Sequence, residues 1–263
     1  MIETTSLVYP LSGLLVGVTV GLTGVGGGAL MTPLLLAFGV HPTTAVGTDL
    51  LYAAVTKSAG TAVHHAGSTV DWKIVRRLAT GSVPATVLTL IALSHIGAQS
   101  KGVSETIKFV LGIALLLTAV SIFFRSRLAA FVKRRFGDPT DRQAARLTVI
   151  GGAILGVLVS LSSIGAGALG VTALVLLYPA IPLARIVGSD IAHAVPLTVV
   201  AGFGHWLLGD VNFALMGALL VGSIPGILAG SWLVRRVPEF GLRPALATVL
   251  LLVGANLVHV KLF

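Results

Sequence analysis

Gly21-Leu-Thr-Gly-Val-Gly-Gly-Gly-Ala-Leu30 and Ser162-Ser-Ile-Gly-Ala-Gly-Ala-Leu169 each interrupt a hydrophobic run of about 31 residues, the first at 8–38 and the second at 147–178. Glycine costs about 1 kcal/mol per residue in a helix interior, so Gly26–Gly28 disfavours a continuous helix. Each run then divides into two pieces of about 11–16 residues, or about 16–24 Å of helix. That is about half to three-quarters of a ~30 Å hydrocarbon core. Such a pair of pieces is either one broken crossing or a hairpin that returns to the face it entered.

The two interruptions belong to a duplicated chain. Val46-Gly-Thr-Asp49, His64, Val70-Asp-Trp72 and Gly81-Ser-Val-Pro84 return about 141 positions later as Val187-Gly-Ser-Asp190, His205, Val211-Asn-Phe213 and Gly222-Ser-Ile-Pro225. The glycine breaks themselves match at an offset of about 139. An apolar chain with a glycine-rich break at the same place in both copies has the pattern of a secondary transporter. The expected units are residues 1–124 and 147–263, joined by a basic cytoplasmic loop at 125–146.

Composition fixes the class. Hydrophobic residues make up 55% of the chain, charged residues 10%, and the mean hydropathy is +0.99. Further apolar segments fall at 44–63, 77–97, 106–124, 183–204, 213–234 and 245–262. The expected fold is an all-α polytopic membrane protein with eight hydrophobic segments. The absence of cysteine excludes disulfides, thiolate metal sites and iron–sulfur clusters. Met1-Ile-Glu-Thr-Thr lacks the positive flank of a signal peptide, so the first apolar segment is expected to be retained.

The net charge of +9 does not point to nucleic acid, because the cations sit in short segments between apolar runs; seven of the 18 Lys and Arg lie between Arg125 and Arg146. If each break is a hairpin, 14 cations fall on the cytoplasmic side and three outside; if each is a crossing, the division is 11 and six. Cytoplasmic loops are enriched in Lys and Arg. The sequence therefore favours two inverted repeats, each a hairpin plus three crossings, with both termini outside.

Hairpins entering from opposite faces would bring the breaks together at the midplane. Their second helices would aim unpaired N–H groups and positive dipole ends at one spot, which makes a backbone anion site. The candidate residues are Gly24, Gly26, Gly27, Gly28, Gly165 and Gly167, with hydroxyls from Thr23, Thr48, Ser162, Ser163 and Ser189. Tight helix packing is the alternative use of the glycines, and bonding to a helix carbonyl the alternative use of the hydroxyls. Asp49 and Asp190 are intramembrane carboxylates, which are functional by default. They serve either as proton sites or as acceptors for hairpin N–H groups, Thr48 and Ser189. Lys57 has no counterpart, since position 198 is Thr; it offsets substrate charge, pairs with Asp49 or snorkels. His193 could titrate, and His64 and His205 read as capping or interfacial groups. No cofactor and no metal site is expected.

Gly21-Leu-Thr-Gly-Val-Gly-Gly-Gly-Ala-Leu-Met-Thr-Pro33, Ala45-Val-Gly-Thr-Asp49, His64-His65-Ala-Gly67 and Val70-Asp-Trp72, with Ser162-Ser163, Val187-Gly-Ser-Asp190 and Gly222-Ser-Ile-Pro225, resemble the TauE/SafE family of sulfite and organosulfonate exporters. The resemblance spans nearly the whole chain. It implies a multi-pass permease of the bacterial inner membrane that exports small sulfur-containing anions, such as sulfite or sulfoacetate, using the proton gradient. The family's glycine motif maps onto Gly24 and Gly26–Gly28; the second copy departs from it with Ala166. The expected partners are a small anionic substrate and the lipid bilayer, with no nucleic acid, in a monomer or homodimer. A passive anion channel, or a permease for another small anion such as thiosulfate or a carboxylate, is the competing reading. An enzyme is not expected, because no catalytic constellation is visible.

Overall fold

A computed structural model describes residues 5–23, 27–96, 101–233 and 242–262. These form ten α-helices and, among the described residues, no strand: α1 (Thr5–Thr23), α2 (Gly28–Ala37), α3 (Pro42–Ala66), α4 (Trp72–Ile96), α5 (Lys101–Phe136), α6 (Asp141–Ser162), α7 (Ala168–Leu177), α8 (Leu183–Leu207), α9 (Phe213–Leu233) and α10 (Leu242–Leu262). Both long hydrophobic runs are divided, but unequally. α1 has 19 residues and α6 has 22, whereas α2 and α7 have 10 each. The sequence estimate of 11–16 overstates α2 and α7 by at least one residue and understates α1 and α6, both of which start upstream of their apolar runs. Thr140 and Gln143 form a capping box at the start of α6, each side chain meeting the other residue's backbone N–H.

The same cap reshapes the basic stretch. Residues 125–136 continue α5, residues 141–146 open α6, and only 137–140 lie between helices. Lys73 and Arg77 of α4 reach Asp141 at 3.2 and 3.0 Å, tying the starts of α4 and α6 together.

Among the described residues, five helical segments are long and apolar enough to cross a membrane: Trp72–Ile96, Gly102–Phe136, Asp141–Ser162, Leu183–Leu207 and Phe213–Gly230. Shorter apolar helices run over Leu7–Leu22, Gly28–Ala37, Ala168–Leu177 and Leu246–Val258. The 25 residues of α3 are too polar for this class. Thr43, Thr48, Asp49, Thr56 and Lys57 all lie on α3, and all are buried against other helices. Elsewhere Leu88, Val221 and Leu252 stand exposed, as side chains facing lipid would.

Packing follows the duplication. α1 lies along α9 with backbones touching: a Cβ on Gly222, Gly226 or Gly230 would overlap the carbonyls of Pro10, Leu14 and Val18 in turn. The two helices therefore run the same way. α4 and α6 are related identically, with Gly152 and Gly156 against the carbonyls of Leu78 and Ser82. Small residues that let backbones approach are how helices associate where no water drives them together. α3 and α8 instead run in opposite directions. Thr48, near the start of α3, accepts at 3.0 Å from the N–H of Asn212, beyond the end of α8. Ser189, near the start of α8, accepts at 2.8 Å from the N–H of Asp71, beyond the end of α3.

Candidate functional site

The two chain breaks meet. A Cβ on Gly28, the first residue of α2, would overlap the backbone carbonyl of Ser163. Around this contact Ala29, Ile164 and Ala168 share an apolar cluster with Leu111 and Leu115 of α5 and Leu250 of α10. The second break is built from conformations that side chains rarely adopt: Gly165 has φ 137° and Gly167 φ 132°. Glycine alone enters that region at little cost. Ser163 itself is left-handed at φ 58°, and its buried hydroxyl faces the Asp49 carboxylate without closing a hydrogen bond to any described residue.

Three charged side chains converge behind the breaks. Asp49 and Asp190 expose 0% and 1% of their surface, and Lys57 exposes 5%. Asp49, on α3, accepts at 2.5 Å from the Thr32 hydroxyl of α2. Asp190, on α8, faces the N–H of Gly167 at the head of α7. One oxygen of Asp190 rests against Gly170, where a Cβ would overlap it. Lys57, two turns beyond Asp49, donates to the Ala166 carbonyl at 3.3 Å and lies within electrostatic reach of both carboxylates, Asp190 the more strongly. The Oδ1 atoms of Asp49 and Asp190 have no hydrogen-bond partner among the described residues. Buried charges of this kind are tolerated only in company.

The other candidate residues divide by what occupies them. Gly24 and Gly26 lie outside the described residues, as does the side chain of Thr23. Gly27 precedes α2 in helical conformation (φ −54°), and a Cβ there would meet only ordinary contacts at 3.5–3.8 Å. Thr48 and Ser189 spend their hydroxyls on the α8–α9 and α3–α4 loops. Ser162 donates to Leu158 O and accepts from Ile164 N, closing its own helix end. His193 is buried, with Nε2 2.8 Å from the Ser82 hydroxyl of α4. His64 faces Thr69 at 2.9 Å on the loop that follows α3. His205 reaches back to the last turn of α6, where its Nε2 donates to the Ser160 carbonyl at 2.8 Å. Thr32, Ala166 and Ser82 are not among the candidate site residues read from the sequence, since a hydroxyl or carbonyl partner leaves no motif. Asn212 and Asp71 did leave a signal: they stand one repeat apart, as Thr48 and Ser189 do.

In this arrangement the leading amide of α7 faces the chain's own carboxylate, and the ammonium, bonded to a backbone carbonyl, lies within electrostatic reach of two acids. Among the described residues no group of three or more His, Asp or Glu could hold a metal ion.

The sequence profile of the family described as "Sulfite exporter TauE/SafE" matches residues 9–257. This chain belongs to the TauE/SafE family. It is 41% identical to the "Probable membrane transporter protein YjnA" of Bacillus subtilis (strain 168), over 94% of this chain and 98% of that protein. A second protein of the same organism, "Probable membrane transporter protein YunE", is 26% identical over 95% of this chain and 96% of its own length. No solved structure matches the chain. With its five long apolar helices, the TauE/SafE chain is a multi-pass membrane transporter.

Proposed function

We propose that this protein is a secondary transporter of the bacterial plasma membrane that exports small sulfur-containing anions. Sulfite, sulfoacetate and similar organosulfonates are the substrate class. The anion binds where the two breaks meet, with Lys57 and the helix starts of α2 and α7 answering its charge and Asp49 and Asp190 handling protons. The observation that carries this reading is the buried Lys57 ammonium, bonded to the Ala166 carbonyl of the second break and within electrostatic reach of two buried carboxylates, where both breaks meet.

The architecture we infer is a pair of inverted repeats, each a re-entrant hairpin followed by three crossings. Support comes from helix direction. α1 runs with α9, and α3 begins beside the loop from which α9 also begins. On this reading α1–α2 enters and leaves at one face, and α6–α7 does the same at the other. Alternating access then moves one repeat against the other around the meeting point.

Uptake of labelled sulfite, sulfoacetate, thiosulfate and acetate into liposomes containing the purified protein tests the reading. Sulfur anions should enter faster than acetate and accumulate above their external concentration when a proton gradient is applied. Equilibration without accumulation would identify a passive channel. No movement of any sulfur anion beyond that in protein-free vesicles would sink the proposal.

A further inference from the structure

We infer that each monovalent anion reaching this site brings one proton with it, so that anion and proton cross the membrane in the same direction. The inference rests on the reading of the site as an anion-transport site and adds the sign and the ratio of coupling.

The geometry behind it is competition for one amide. The Gly167 N–H at the head of α7 is where an anion would bind, and the Asp190 carboxylate already faces it, with one oxygen packed against Gly170 in the first turn of α7. Two negative groups do not share such a donor in a buried site. The surrounding groups offer no mobile cation to offset a second charge. From α3 come Asp49 and Lys57, from α2 Thr32, and from the second break Ser163. α4 presents Ser82 to His193 of α8, and α9 presents Ser223 to Thr56 of α3. Arg125 of α5 acts on Asp190 through space while donating to Thr172 of α7.

An incoming negative charge is therefore balanced by protonating one carboxylate. That increment is one proton whatever charge the empty cluster carries. The Oδ1 atoms of Asp49 and Asp190, buried and without a hydrogen-bond partner among the described residues, are where the proton lands. Once protonated, the carboxyl releases the amide and turns an O–H toward the anion that it formerly excluded. The proton comes from water on the open face and returns to water on the other face as the anion leaves. Outward transport on this scheme follows the anion's own gradient and works against an inward proton gradient, and uptake works with it. This is the reverse of the drive that the family resemblance implies.

Methanesulfonate is the probe, because it stays a monovalent anion at working pH and any proton movement then belongs to the protein. Liposomes with an entrapped pH dye and a clamped membrane potential receive an inward methanesulfonate gradient. The lumen should acidify by one proton per anion taken up. Alkalinisation, or uptake without a pH change, overturns this inference and leaves anion transport standing. If neither methanesulfonate nor the sulfur anions named above move, the underlying reading falls and this one with it. In the double variant Asp49→Asn/Asp190→Asn the proton-to-anion ratio of residual uptake should drop to zero. A ratio that stays at one would overturn the assignment to these carboxylates.

Discussion

Thr48 with Asn212 and Ser189 with Asp71 are the same contact made twice, whereas Lys57 and Thr198, or Tyr52 and His193, hold equivalent positions with different chemistry. Where the halves grip one another the duplicated design persists, down to glycines against the same carbonyls in both helix pairs. Around the breaks it has diverged. The first half supplies the ammonium and the second half the strained amides of Gly165–Gly167. A ligand at a symmetric junction would meet every group twice. Unequal halves let one side present a cation and the other a hydrogen-bonding backbone.

The largest expected effect tests that division directly. Lys57→Gln should lower the initial rate of sulfur-anion uptake by about 100-fold or more, since removing one partner of a buried charge cluster leaves the others uncompensated. Thr198→Val, at the equivalent place, should change the rate less than about threefold, because that hydroxyl bonds back to Ala194 and Val195 of its own helix. Equal losses in proteoliposomes normalised for protein would end the claim that the halves differ in role. Next come neighbouring glycines. Gly28→Ala forces the breaks apart and should cost about 2–3 kcal/mol, while Gly27→Ala should cost under about 1 kcal/mol. Thermal unfolding in detergent would separate them, and a reversed order would contradict the contact with Ser163.

Smaller still are the loop anchors. Thr48→Val and Ser189→Ala should each remove about 1 kcal/mol of stability, and similar losses in the same unfolding assay are the signature of equivalent contacts. A loss confined to one of them would mean that only one loop is held this way. Least of all is the surface cluster of Lys73, Arg77 and Asp141. It exists in one half only, because the position equivalent to Arg77 is Ala218. Exposed ion pairs contribute little and are screened, so Asp141→Asn should leave the melting temperature unchanged at high salt.

Much of this was readable from residues alone. Gly24–Gly28 and Gly165–Gly167 announce breaks because glycine runs oppose helix, and the offset between Asp49 and Asp190 exposes the duplication. The occupants of the site were harder to read. Asp190 on the Gly167 amide and Lys57 on the Ala166 carbonyl join residues far apart in sequence, and no local pattern encodes which polar group wins a donor. Thr48 and Ser189 read as ligands because they flank the acids, yet their hydroxyls hold loops of the opposite half. The basic stretch 125–146 read as a loop from charge alone; Thr140 and Gln143 were the sequence sign that helix resumes at Asp141.

The reciprocal docking of the two loops bears on how such a chain arose. A lone copy of the unit would leave both its loop amide and its serine or threonine acceptor without a mate, and its first helix without the glycine ridge it lies on. Two copies facing opposite ways satisfy all of these at once. On the inverted-repeat reading proposed above, the ancestral gene product would have been a dual-topology homodimer, later fused through the few residues at 137–140. Severing the chain there should give fragments that are orphaned when made singly and whole when made together.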